Sequence, residues 1–161
     1  LKRHSEYSGE DLSYFDSKTN ERFIPYIIET SGGIDRAFLF FLIDSYFEDK
    51  DRIVLRLHPK LAPYKIAVFP LLANKSELVD FARKIYNDLK LNLHFKIVWD
   101  DRGNIGKRYY SQDEIGTPYC VTVDFESLKN RDVTIRDRDT TKQIRIPIDK
   151  LKLYFEEKIN K

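Results

Sequence analysis

A carboxylate, a run of small residues and an arginine in the first turn of a helix can together hold a small ammonium-bearing ligand beside an anion. ETSGGIDR, Glu29 to Arg36, has that pattern. A helix N-terminus already carries partial positive charge, so an arginine there is disfavoured unless an anion sits in front of it. Glu29 can hold an ammonium group, while Ser31, Gly32 and Gly33 leave room only for something small. The bland alternative is a tight turn in which Asp35 pairs with Arg36. The pattern is neither a P-loop nor a dinucleotide fingerprint.

A second group of chemically capable residues is basic. In TIRDRD the two-residue period puts Thr134, Arg136 and Arg138 on one strand face and Val133, Ile135 and Asp137 on the other. Past the turn, Ile144, Ile146 and Ile148 point inward, and Gln143 and Arg145 outward. Lys129 to Arg145 holds six basic and three acidic residues, and NIGKRYY adds Lys107, Arg108, Tyr109 and Tyr110. Arginines beside aromatics suit unstacked single-stranded bases. The competing reading is a solvated hairpin face laced with salt bridges. His4, His58 and His94 are scattered at no metal-binding spacing, Cys120 reads as a small core residue, and no serine sits in a nucleophile elbow. No self-contained catalytic triad or metal site is expected.

The elements that would position these residues fall into two blocks, residues 1–56 and 57–161, separated by EDKDR and the prolines Pro59 and Pro63. In the first, residues 1–22 read as irregular. FIPYIIE (Phe23 to Glu29) reads as a buried strand, with Pro25 at a sheet edge or bulge. Ile34 to Phe47 reads as a helix, apolar on nearly every face and therefore deeply buried. A strand, a turn and a helix do not make a core, so this block needs a partner sheet that the sequence does not supply.

The second block alternates strand and helix. Lys65 to Leu71 and Pro118 to Phe125 read as buried strands, and Leu93, Phe95, Ile97 and Trp99 alternate as a third. Ser76 can cap a helix with Leu78, Phe81, Ala82, Ile85 and Leu89 on one stripe. Gly103 or Asn104 opens another, which Gly116 closes. A hairpin turns at Asp139 to Lys142, and Asp149 caps a last helix facing inward through Leu151, Phe155 and Ile159. The expected fold class is α/β: a three-layer domain with a mixed, mostly parallel sheet flanked by helices. The strand, turn and buried helix of residues 1–56 precede it.

The 161 residues are 42% hydrophobic and 14% aromatic, which excludes a disordered or collagen-like chain. No apolar run reaches the length of a membrane span. With 28 basic and 26 acidic residues, the +2 balance confines any polyanion site to a local patch. A single cysteine suits a reducing cytoplasm. The Leu1 start and the lack of methionine read as a fragment.

FIPYIIETSGGIDRAFLFFLIDSY resembles motif 3 of class II aminoacyl-tRNA synthetases, in the form found in glycyl-tRNA synthetases, where the usual reading is close to P-x-V-I-E-P-S-x-G-x-x-R. KLAPYKIAVFPL, DDRGNIGKRYYSQDEIGTPYCVTVDF and VTIRDRDTTKQIR resemble the anticodon-binding domain of that family, and SGEDLSYFD the stretch before motif 3 in its bacterial homodimeric form. Thr30 stands where the family usually has proline.

The resemblance implies a class II catalytic remnant over residues 1–56 and an anticodon-binding domain over 57–161. It implies ATP-dependent activation of glycine to an adenylate, then transfer to glycine tRNA, in a cytoplasmic homodimer. Glu29, Thr30, Ser31, Gly32 and Gly33 would form the glycine site. Gly33, Ile34, Asp35 and Arg36 would lie against ATP, with Arg36 as the catalytic group on the phosphate. Magnesium would accompany ATP, its site completed by residues upstream of Leu1, with no bound metal in this chain. Lys107, Arg108, Arg136, Arg138 and Arg145 would contact the anticodon stem-loop. Positioning and charge stabilisation suffice for such a reaction, which needs no protein nucleophile. The chain alone is expected to be catalytically silent, and monomeric or non-natively associated. The alternatives are a non-catalytic relative such as a DNA polymerase accessory subunit, and a general α/β protein-interaction domain.

Overall fold

The computed structural model describes residues 1–49 and 51–160. They form two compact units, Leu1–Ala37 and Phe38–Lys161. The first holds helix α1 (Lys2–Ser8) and a small hairpin, β1 (Tyr14–Asp16) with β2 (Glu21–Phe23). Residues 1–22 are thus more regular than their polarity suggests. The expected strand at Phe23 to Glu29 is not formed: beyond β2, residues 24–33 have no regular structure and are largely exposed. A strand exists only where a neighbour completes its hydrogen bonds, and Pro25 removes one donor outright.

Helix α2 (Ile34–Ser45) forms where the sequence places it, but it is not deeply buried. Ser45 is its one buried residue, and Phe38 is 63% exposed. Its apolar character records a need for cover that the described residues do not meet. The chain then turns into a hairpin, β3 (Tyr46–Asp49) with β4 (Arg52–Leu55), where Tyr46 and Phe47 had been expected to be helical.

The remaining elements build the main domain. They are β5 (Ile66–Pro70), α3 (Ser76–Asn92), β6 (Ile97–Trp99), α4 (Ile105–Ile115), β7 (Tyr119–Val123), α5 (Phe125–Asn130), β8 (Asp132–Asp137), β9 (Gln143–Pro147) and α6 (Leu151–Ile159). The sheet order is β6-β5-β7-β8-β9. β5 pairs parallel with β6 and β7, while β7–β8 and β8–β9 are antiparallel. The fold is therefore α/β with a mixed sheet of three layers.

Alternation along β5 divides the core. Ile66 and Val68 pack with Ala82, Ile85 and Leu89 of α3 and with Leu151, Phe155 and Ile159 of α6. Ala67 and Phe69 face the other way, with Cys120, beneath Ile105 and Tyr109 of α4. The chain crosses from β5 to β6 in one direction and from β6 past β5 to β7 in the other. Crossovers of one hand then place α3 and α4 on opposite faces. The C-terminal ends of β5, β6 and β7 gather at one edge, the location at which open α/β sheets form binding crevices.

Two caps differ from the sequence reading. α3 begins at Ser76 with Lys75 in the capping position and no side-chain cap, and a short 3₁₀ turn at Ile148–Lys150 precedes α6 in place of a cap by Asp149. Asn104 does cap α4, its side chain accepting from the Lys107 amide at 2.9 Å. Gly116 closes that helix in the left-handed conformation, φ 86°. A Cβ there would lie 2.8 Å from the Leu55 carbonyl oxygen. Gly116→Ala is therefore expected to destabilise the domain by about 2 kcal/mol, through strain and the forced retreat of β4. Urea unfolding would show a lowered midpoint at unchanged slope.

Candidate nucleic-acid interface

The inward face of α4 is polar. Arg108, Gln112 and Asp113 are its buried residues. Gln112 accepts from the Thr117 hydroxyl at 2.7 Å. Asp113, fully buried, takes both Nη atoms of Arg136 at 2.8 and 2.9 Å and Nη1 of Arg52 at 3.0 Å. Arg52 also donates to the Arg138 carbonyl and pairs with Asp49. Arg138 donates to the carbonyls of Gly116 at 2.7 Å and Leu57 at 2.9 Å, and pairs with Asp139. One carboxylate thus ties α4, the β3–β4 hairpin and β8 together.

Burial by itself would pull the Arg136 and Arg52 guanidinium groups down. Hydrogen bonding to Asp113, and for Arg52 to Asp49, outweighs it and leaves both above their ordinary value. The Arg136 guanidinium also lies over the Tyr109 ring at 4.8 Å. Tyr109 in turn shares a 2.6 Å hydrogen bond with the Thr122 hydroxyl. Burial pushes the neighbouring Cys120 thiol up, so it stays an inert core thiol.

This arrangement corrects the expected RNA contacts. The period of two did place Arg136 and Arg138 opposite Val133 and Ile135. The face they share, however, lies under α4 instead of in solvent, and Arg136 and Arg138 are 6% and 2% exposed. Arg108, also 2% exposed, spends its guanidinium on the carbonyls of Arg102, Pro70 and Gly103. Burial lowers its pKa, with Asp100 and Asp101 opposing.

Arg145 is partly exposed but lies among acids, pairing with Asp124, Asp132 and Glu126. A charge count along the hairpin could not register Asp124 or Glu126, which come from outside it. Hydrogen bonds from Arg145 outweigh burial and hold the Asp124 carboxyl down at about 2. Of the five expected contacts, Lys107 keeps an exposed side chain free of ion pairs among the described residues.

The available edge is the loop region where β5, β6 and β7 end. Asp100, Arg102, Gly103, Lys107, Arg108 and Ser111 line a cleft there of about 320 Å³. Leu72, past the end of β5, and Phe125, the first residue of α5 after β7, stand exposed nearby. Arg102 was missed in the sequence. Its signal is placement: a basic residue and a left-handed glycine, Gly103 at φ 63°, between a parallel strand and the helix that follows.

The residues of the acidic–arginine motif belong to the first unit. Glu29, Thr30, Ser31, Gly32, Gly33, Ile34, Asp35 and Arg36 are all exposed, and the Gly33 carbonyl accepts from the Ala37 amide at 3.0 Å as α2 opens. Asp35 and Arg36 form no ion pair with each other.

Residues 65–158 match the family model described as an anticodon binding domain. The chain belongs to that family. The glycine–tRNA ligase of Geobacillus kaustophilus is 55% identical over 164 residues, covering 99% of this chain and 35% of that protein. That of Geobacillus thermodenitrificans is 53% identical, covering 99% and 34%. The chain thus spans about a third of the length of these curated relatives. The anticodon-binding domain is similar in fold to the RNA-binding domain of threonyl-tRNA synthetase from Cryptosporidium parvum, with a TM-score of 0.57 at 22% identity over 64% of this chain and 25% of that one. Prolyl-tRNA synthetase from the same organism gives 0.58 at 25% identity, over 66% and 23%.

Within this anticodon-binding domain, Asp113→Asn is expected to cost about 3–5 kcal/mol in a urea titration, because it strands two buried guanidinium groups. Arg145→Ala carries a different signature. Asp124 sits below its ordinary 3.8 only when folded, so it contributes stability above pH 4 that is lost as pH falls through about 2. Removing Arg145 should lower stability at neutral pH and flatten its fall between about pH 4 and 2, with little change at more acid pH, where Asp124 is protonated in both forms.

Proposed function

We propose that this chain is part of a glycine–tRNA ligase, with residues 57–161 recognising the anticodon of glycine tRNA and residues 1–56 contributing the last part of a class II catalytic domain. The observation that carries this reading is the 55% identity to a glycine–tRNA ligase across nearly the whole chain. Identity of that order over both blocks supports a shared reaction: ATP-dependent activation of glycine to an adenylate, then transfer to the tRNA.

In this reading Glu29 holds the glycine ammonium group, and Ser31 hydrogen-bonds the substrate beside Thr30. Gly32 and Gly33 leave no room for a side chain, so alanine is rejected by exclusion. Gly33, Ile34 and Asp35 lie along the nucleotide, and Arg36 stabilises charge on its phosphates as pyrophosphate leaves. Magnesium would accompany ATP and offset charge on its phosphates; among the described residues no three His, Cys, Asp or Glu side chains converge. The apolar, exposed α2 supports a place inside a larger catalytic body. The homodimeric state and cytoplasmic location of the whole enzyme belong to the same reading and rest on the family resemblance. No described helix is long and apolar enough to cross a membrane.

RNA binding falls to the edge where β5, β6 and β7 end. Lys107 and Arg102, the latter held through Nε by Asp100, are its exposed cations, and Phe125 and Leu72 its apolar platforms. The buried arginines hold that edge in shape. In fluorescence anisotropy, the chain should prefer a glycine anticodon stem-loop over one with altered anticodon bases. Lys107→Ala and Arg102→Ala should each lower the salt dependence of log K by about 0.7. Equal binding to both loops, erased by salt, overturns the proposal.

A further inference from the structure

Asp100 is a largely buried carboxylate with one oxygen held by the protein and the other without a described donor. It lies one residue beyond β6, its amide donating to the Val68 carbonyl at 3.3 Å, and it is 6% exposed. Its Oδ1 accepts from the Arg102 amide at 3.0 Å and from Arg102 Nε at 3.3 Å. Among the described residues nothing donates to Oδ2. Oδ2 is not sealed off from solvent, since Trp99 Nε1 is the one fully buried side-chain polar atom without a partner among the described residues; Oδ2 is an acceptor left open to a ligand that brings a donor.

The surroundings limit what that ligand can be. Asp100 lines the 320 Å³ cleft, at the small end of the range for ligand sites. Arg108 is not available inside it, because its Nε, Nη1 and Nη2 all go to backbone carbonyls. Two of those carbonyls belong to Arg102 and Gly103, so Arg108 fixes the turn that carries the Asp100–Arg102 pair. Arg102 is 90% exposed, with no bond from either Nη to a described residue, and Lys107 is exposed beside it. The cleft therefore offers one held acceptor next to cationic donors.

We propose that Asp100 reads a cytosine of the anticodon, Oδ2 accepting from the exocyclic N4 amino group while Arg102 faces the ring acceptors. The proposal rests on the glycine-tRNA reading above and goes beyond it by naming the residue and the base edge. Glycine codons begin with two guanines, so every glycine anticodon carries two adjacent cytosines. The pairing edge of cytosine presents one donor, N4, followed by two acceptors, N3 and O2. An acceptor flanked by donors complements it. Uracil puts O4 where the amino group was and opposes two acceptors, which supplies discrimination by repulsion as well as by attraction.

The test uses the chain and a glycine anticodon stem-loop, with each cytosine replaced in turn by 2-pyrimidinone, which lacks only the amino group, or by uracil. The wild type should lose about tenfold in affinity at one of the two positions. Asp100→Asn can keep the Oδ1 bonds to Arg102 while turning the other oxygen into a donor. It should bind the parent loop more weakly, lose nothing further when the amino group is removed, and show almost no preference for cytosine over uracil. Asp100→Ala should likewise be blind to the amino group. No wild-type loss at either position overturns the proposal without recourse to a variant. Equal losses in the wild type and both variants overturn the role of Asp100 but leave anticodon recognition intact. A wild type that does not distinguish the glycine loop from one with altered anticodon bases overturns that underlying reading too.

Discussion

The domain depends on one carboxylate. Asp113, buried at the heart of α4, satisfies Arg52 from the β3–β4 hairpin and Arg136 from β8. Arg136 has no other carboxylate and Arg52 has only Asp49 besides, and α4 offers the sheet few apolar side chains with which to hold itself there. A helix packed through a polar face must have every partner in place, since a half-satisfied buried network is less stable than an apolar one. Both Asp113 oxygens, Gln112 Oε1, the Thr117 hydroxyl and all three Arg108 nitrogens have partners.

That solution explains a division of labour among the arginines. Arg136 and Arg138, nearest the middle of the sheet, serve the fold, and Arg102 at its C-terminal edge stays exposed. Arg108 stands between the groups. It contacts nothing outside the protein, yet through the carbonyls of Pro70, Arg102 and Gly103 it sets the relative positions of the loops after β5 and β6. An edge built this way carries little net charge, in keeping with a chain whose excess is only +2.

Strong periodicity was legible from residue order alone. The α3 stripe, the buried apolar runs of β5 and β7, the Asn104 and Gly116 caps and the β8–β9 hairpin all follow local rules and stand where those rules put them. The alternation read from Leu93 to Trp99, by contrast, yields a strand only at Ile97–Trp99. What sequence could not convey is which face a neighbour covers. Arg136 and Arg138 alternate as solvent-facing residues do, and only the arrival of α4 makes them interior. Residues 24–33 and α2 show the reverse, being apolar enough for a core but exposed among the described residues. Asp100 escaped notice because its significance lies in an oxygen without a donor, a property of placement and not of composition.

The Asp113 network also spans long stretches of chain. Arg52 to Asp113 covers 61 positions, Leu57 to Arg138 covers 81, and Arg52 to Arg138 covers 86. Contacts that close such loops bear the entropy of closure before they return any energy, so they follow the local helices and hairpin in time. Interactions made after the rate-limiting step act mainly on the way out. By that logic the buried arginines do little to hasten folding; they serve as a latch that slows unfolding and lengthens the lifetime of the native edge.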